Sequence, residues 1–179
     1  MDGLFYGCEK LTYLNIKNFD TSKVTRMMLM FYDCSSLTSI DLSSFDTSNV
    51  KYMDYMFSDC KSLKELDIIN FNTENLYSMV GMLYDSSSLT SIDLSHFNTE
   101  NVNNMKYVFS DCTNLSYIDI SSFNENTKYD NLFSGVAENG TIIVKNEDIA
   151  EKLNIPENWE VIYKDQFNME KINNILLQQ

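Results

Sequence analysis

Basic residues are scarce: 13 Lys and Arg stand against 26 Asp and Glu, for a formal charge of −13 and a pI near 4.3. A sequence-independent nucleic-acid binder needs those cations to neutralise phosphates, so that class is excluded. An anionic membrane surface is disfavoured for the same reason. No stretch approaches the roughly 20 apolar residues of a membrane span, and no signal peptide opens the chain. There is no Walker loop, GxGxxG, HExxH or GxSxG. No CxxC pair accompanies the four cysteines and the single histidine, which argues against a zinc site. Proline occurs once and alanine twice. What remains is rich in Asn, Ser, Tyr and Ile, and 44% apolar with 13% aromatic residues is enough to build a core.

The cysteines disclose the organisation. Cys8, Cys34 and Cys60 are 26 residues apart, Cys112 lies two periods further on, and Ser86 fills the vacant slot. Phe19, Phe45, Phe71, Phe97 and Phe123 keep the same interval, as do Leu11, Leu37, Leu63, Leu89 and Leu115, and Met27, Met53, Met79 and Met105. Several columns in one register make this a repeat protein. One unit, Cys34 to Asp59, reads CSSLTSIDLSSFDTSNVKYMDYMFSD. Its first half alternates around Ile40 and Leu42, which predicts a short strand with one face buried. Its second half places Val50, Met53, Met56 and Phe57 at helical spacing, which predicts a short helix or 3₁₀ segment. Asp46, Thr47 and Ser48 precede it and can accept from its free N–H groups. A strand, a corner, a short helix and a return make one coil of a solenoid, and no single coil buries enough to fold without neighbours.

The spacing LxxLxL followed by Phe, and more fully LxxIDLSSFDTSNVxxMxxMFxxC, resembles the BspA-like leucine-rich repeat proteins of bacterial surfaces. The resemblance covers about residues 1–135, three quarters of the chain. Departures are Ser86 in the cysteine column, Leu83 in the place of a Phe, a first unit that begins midway at Leu4-Phe5, and a last unit two residues short. The resemblance implies an α/β repeat fold: a right-handed leucine-rich repeat solenoid with one parallel β-sheet and short helical or 3₁₀ segments opposite. It also implies adhesion or host contact at a cell surface or outside the cell, and no shared catalytic motif. At the C-terminal end, Thr141 to Val144 reads as a strand after the turn-like Asn139-Gly140, Asn146 as a helix cap, and Trp159 to Tyr163 as a second strand. Residues 136–165 are therefore expected to form a small strand–helix–strand cap. Residues 166–179 place Phe167, Ile172, Ile175 and Leu176 near one helical face and are expected to form a helical tail. The first residues read as the tail of a preceding coil, so the N-terminal edge is expected to be uncapped and open to self-association.

Candidate contacts lie on the strand face. One outward column holds Asn15, Asp41, Asp67, Asp93 and Asp119. Its functional reading is an acidic strip for a basic surface or weak Ca²⁺; its structural reading is a solvated ladder inherited by duplication, with no closed oxygen cage for a metal. A flanking column runs Tyr13, Ser39, Glu65, Ser91 and Tyr117, and another runs Asn18, Ser44, Asn70, His96 and Ser122. Tyr13, Glu65, His96 and Tyr117 join Asn15 and the four aspartates as expected ligand contacts, since variation above a constant core is where specificity resides. The cysteines belong to an inward column and read as a reduced ladder. The expectation is a non-enzymatic protein-binding module with no cofactor and no metal, whose partner class is a host extracellular matrix protein. The alternative is a spacer or self-assembly element.

Overall fold

The 26-residue period of the sequence returns as a hydrogen-bond period in the computed structural model, which describes residues 1–124 and 128–166. From Met27 to Asp33, alternate N–H groups leave their own unit: Met27, Leu29, Phe31 and Asp33 donate to the carbonyls of Tyr52, Asp54, Met56 and Ser58 at 2.9 Å each. The next two units repeat the pattern, as when Met53, Tyr55, Phe57 and Asp59 bond Ser78, Val80, Met82 and Tyr84. Parallel bridges Arg26–Tyr52, Tyr52–Ser78, Ser78–Asn104 and Asn104–Lys128 mark the start of each such segment.

This is where the expected helix fails. The apolar residues at helical spacing are buried as anticipated, with Val50, Met53, Met56 and Phe57 fully inside. The backbone that carries them is a ribbon of consecutive turns. Tyr55 and Asp59 have φ of 53° and 59°, and equivalent pairs recur at Leu29/Asp33, Gly81/Asp85 and Tyr107/Asp111. A left-handed residue every fourth position prevents the i→i−4 bonds of a helix. The donors thus released bond the next unit.

A second difference concerns the strands. Strand pairing is present in β1 (Ser91–Asp93) and β2 (Tyr117–Asp119), but the equivalent extended segments around Ile40 and Leu66 carry none. There the carbonyls that end each extended segment accept from side chains instead: Ser44 bonds Ile16 and Asn70 bonds Leu42. β1 and β2 continue into β3 (Gly140–Val144) and β4 (Trp159–Tyr163) as one four-stranded parallel sheet in the order β1-β2-β3-β4. A helix, α1 (Glu147–Lys152), joins β3 to β4. Asn146 caps it by accepting from Ile149 N at 3.1 Å, with Glu147 and Asp148 in the first turn and Lys152 in the last. The strand–helix–strand expected after residue 140 is thus present. Its Trp159 donates through Nε1 to the Ala137 carbonyl at 2.9 Å and leans on Phe133, ring centroids 6.4 Å apart. The expected helical tail, with Phe167, Ile172, Ile175 and Leu176, lies outside the described residues.

The core is a set of columns. Phe5, Phe31 and Phe57 stack with centroids 5.4 and 5.3 Å apart, and Phe109 and Phe133 with 5.8 Å; Leu83 occupies the place between. A buried threonine column lies where no strand pairing is available. Thr21 Oγ1 donates to the Asp46 carbonyl and accepts from Asp46 N, and Thr73 does the same with Asn98 at 3.2 and 2.8 Å. Asn49, Asn75 and Asn101 each donate to a carbonyl of the preceding unit at 2.8 Å. Replacing Thr73 by Val keeps the shape and removes the partner of both Asn98 backbone groups at a part-buried position, at a cost of about 0.5–1.5 kcal/mol. Urea unfolding of Thr73→Val beside the parent checks this: the midpoint falls with the slope unchanged, and an unmoved midpoint refutes the role of the hydroxyl.

Candidate functional site

The strand-side face begins with the acidic column. Asn15, Asp41, Asp67, Asp93 and Asp119 each use Oδ1 to accept the N–H two residues ahead, from Lys17, Ser43, Ile69, Ser95 and Ser121, at 2.8–3.3 Å. Each closes the turn that ends its extended segment, a task for which a short carboxylate or amide is suited. The column therefore has a local cause in every unit. Asp41 also accepts from Ser43 Oγ at 2.6 Å and pairs with Lys17 Nζ at 3.2 Å. The Ser43 hydroxyl and N–H, with Lys17 beside them, hold its carboxyl down at about 2. Asp93 and Asp119 face each other in register across β1 and β2. Burial pushes the Asp93 carboxyl up, but the Ser95 bonds, His96 and Lys164 outweigh it and leave it below its ordinary value. Lys164 reaches this corner by donating to Ser121 Oγ at 2.9 Å. Lysines thus flank the acidic column near both ends.

The column of Tyr13, Ser39, Glu65, Ser91 and Tyr117 points outward. Tyr13 is 72% exposed and Tyr117 41%. Between them lie two clefts, the first among unpaired extended segments and the second running from those segments to the edge of β1 and β2. One of about 240 Å³ is lined by Tyr13, Asn15, Lys17, Ser39 and Asp41. The other, about 320 Å³, is lined by Ser39, Glu65, Asp67, Ser91, Asp93 and Tyr117, with Ile40, Leu66 and Ile92 at its floor. Burial and then the Asp119 and Asp93 carboxylates push the Tyr117 hydroxyl up, which keeps it a donor. Seven of the nine expected contacts therefore line these two clefts, namely Tyr13, Asn15, Asp41, Glu65, Asp67, Asp93 and Tyr117. Asp119 sits beside them in β2, only half exposed.

His96 is placed differently from the reading of its column as outward. It is half-buried between units, its Nε2 2.9 Å from the Ile68 carbonyl and its ring edge-on to Phe97 at 4.9 Å. Ser44, Asn70 and Ser122 make the equivalent bond in their units. From Ser44 to Ser122 the column is a row of inter-unit ties.

The cysteines are ties of the same kind. Cys34, Cys60 and Cys112 donate through Sγ to the carbonyls of Phe5, Phe31 and Leu83 at 3.2, 3.2 and 2.9 Å, and Ser86 Oγ does the same to Phe57 at 2.7 Å. All four cysteines are free thiols. Burial, more than any charge, pushes Cys34 up to about 11, Cys112 up to about 12 and Cys60 higher still. Such thiols are poor nucleophiles and poor metal ligands.

Three features lie outside the expected contacts. The threonine and asparagine ladders recur every 26 residues and were visible as columns. At the corner after one turn ribbon, Lys61 bridges Asp59 at 3.3 Å and Asp85 at 2.8 Å, and those two bonds raise its ammonium further. A third cleft, about 630 Å³, opens on the turn-ribbon side between Arg26, Tyr52, Tyr77 and Asn104. It combines side chains from several columns, so no single column announces it. Among the described residues no group of three or more His, Cys, Asp or Glu is arranged to hold a metal ion, and no helix is long and apolar enough to cross a membrane.

The thiols give the fold a pH dependence of known sign. Unfolded cysteines ionise near 8.5, whereas the buried ones do not until about 11 and about 12. Above pH ~8.5 the unfolded chain releases protons that the native chain retains, so the stabilisation by neutral thiols is complete below that pH and lost through 11 and 12. A triple Cys34→Ser, Cys60→Ser, Cys112→Ser variant keeps the donor, as Ser86 does, and removes that part of the slope. Urea midpoints from pH 7 to ~10.5 for the two proteins are expected to diverge above ~8.5; superimposable profiles refute the assignment.

No curated protein matches this chain, and no solved structure matches it. The inward thiols, the acidic turn-closing column and all but the last of the turn ribbons fall within residues 1–123, the span that matches the family model described as "Mycoplasma protein of unknown function, DUF285", and the chain belongs to that family.

Proposed function

We propose that the repeat region is a right-handed leucine-rich repeat solenoid of the BspA-like kind, closed by residues 136–165 as its cap. Its role is that of a non-enzymatic protein-binding module of a bacterial cell surface or secreted protein, contacting a host extracellular matrix protein through the strand-side face. The observation that carries this reading is the pair of clefts between Tyr13 and Tyr117. Exposed tyrosines at the two ends offer large contact area with few rotors to freeze. Glu65, Asp67 and Asp93 between them present carboxylates to solvent. Repeated bonds between units hold these groups in place before a ligand arrives, which lowers the entropic cost of docking. The charge of −13 suits a basic patch on the partner. Chemistry on a substrate is disfavoured because the Cys34, Cys60 and Cys112 thiols are buried and His96 Nε2 is engaged to a carbonyl.

The second reading is a spacer or assembly element. It draws on the uniformity of the turn ribbon, whose bonds recur between successive units and would serve a further copy equally well. Sedimentation across a concentration series separates the two: growth of the species with concentration favours assembly.

The test is binding of the chain to a panel of immobilised matrix proteins at physiological salt. A quadruple Asp41→Ser, Asp67→Ser, Asp93→Ser, Asp119→Ser variant runs beside it, since serine retains a weaker form of the same turn closure. Saturable binding by the parent, weakened by about tenfold or more in the folded variant and reduced by added salt, is the expected result. Absence of binding by the folded parent overturns the recognition role.

A further inference from the structure

The turn-ribbon cleft lies half a repeat away in sequence from the strand-side face and is built from different residues. Tyr52 and Tyr77 meet edge to face, centroids 5.9 Å apart and planes at 67°. Tyr77 is 49% exposed and lines the opening. Tyr55 contributes a third ring, which lies over Gly81: a Cβ there would sit 2.3 Å from the Tyr55 ring, and Gly81 holds φ at +56°. The absence of a side chain at Gly81 is what lets the Tyr55 ring lie along the ribbon. Asn103 and Asn104 close the far side with amides.

The charges at this cleft are already spent. Arg26 pairs with Asp2 at 2.9 Å and stands 5.8 Å over the Tyr52 ring. The buried Asp54 carboxylate accepts from Ser78 Oγ and from Val80 N at 2.9 Å. A charged ligand would therefore find no counter-ion to recruit, and the net charge of −13 repels anionic ones. The backbone is spent too. Met53 N, Tyr55 N and Tyr77 N bond the carbonyls of Ser78, Val80 and Lys51, and Asn103 N bonds that of Tyr77. An extended peptide, which would look for main-chain partners, finds few. What the cleft offers is open aromatic face together with phenol hydroxyls and side-chain amides. That combination matches a ligand with one apolar C–H face and a rim of neutral hydroxyls.

The geometry points to a binding site for an uncharged oligosaccharide at the Tyr52–Tyr55–Tyr77 cleft, with Tyr77 as the stacking platform and Asn103 and Asn104 as the hydroxyl partners. The site is independent of the protein-binding face. It is tested with the full chain and two neutral probes, chitohexaose and maltohexaose, by calorimetry and saturation-transfer NMR. At least one probe is expected to bind with Kd below about 1 mM, insensitive to added salt. Tyr77→Ala and Tyr52→Ala should each weaken it by about tenfold or more. Tyr77→Phe, which keeps the ring, should change it by less than about threefold, and Tyr13→Ala, on the other face, should leave it unchanged. Circular dichroism confirms that the exposed-site variants fold. Failure of both probes to bind at ~10 mM, or affinities that Tyr77→Ala and Tyr52→Ala leave unmoved, overturns the assignment. So does loss in Tyr13→Ala, or binding of a proline decapeptide in place of either sugar.

Discussion

In each repeat the N–H groups of alternate residues in one short ribbon turn away from their own unit and bond the next. Tyr55 and Asp59 are held left-handed so that Met53, Tyr55, Phe57 and Asp59 can donate to the following repeat. That constraint settles much else. It spaces the phenylalanine rings at about 5.3 Å, so that they stack rather than interdigitate. It requires a small inward residue with a donor at the end of the ribbon, filled by Cys34, Cys60, Ser86 and Cys112. It also accounts for most of the few glycines: Gly3, Gly7, Gly81 and Gly135 all have positive φ at these ribbon positions.

With the ribbon side tied, the strand side is free to open. Sheet pairing begins only at β1 and strengthens toward the five-residue strands β3 and β4. Further toward the N-terminal repeats, threonine hydroxyls, asparagine amides and the His96 imidazole replace main-chain pairing. The clefts beside Glu65 and Tyr13 exist because those ties are made at the corners and not across the extended segments. The candidate face is therefore a product of incomplete sheet formation above a complete ladder.

Much of this was legible beforehand. The period, the buried Leu, Phe, Met and Cys columns and the C-terminal strand–helix–strand follow from spacing and capping chemistry, and the structure agrees nearly residue for residue. The ribbon was not legible, because Val50, Met53, Met56 and Phe57 satisfy a helical pattern equally well. The residues that forbid the helix in this unit are Tyr55, which does not advertise a left-handed backbone, and Asp59, which does so only weakly; the signal lies in the glycines that replace them in other units, Gly81 and Gly7. Period arithmetic also groups side chains into columns without saying where a column points. It placed Tyr13 and Glu65 correctly on the surface, and put His96 beside them although its ring is turned between units. The tyrosine cleft draws on several columns at once and on a single glycine, so it becomes visible only when the units are brought together.

The ribbon has an electrical consequence. Beyond the reverse contact at the start of each ribbon, such as Tyr77 N to the Lys51 carbonyl, four bonds per junction from Met27 onward run from donors in the earlier repeat to acceptors in the later one. In ordinary sheets strand dipoles largely cancel, but here these peptide groups point the same way along the stack, as they do in a helix. Their partial charges add from one repeat to the next. One end of the array is thus carbonyl-rich and negative and the other N–H-rich and positive, and each added repeat polarises those before it. A chain built this way has a direction that any neighbour approaching its ends must respect.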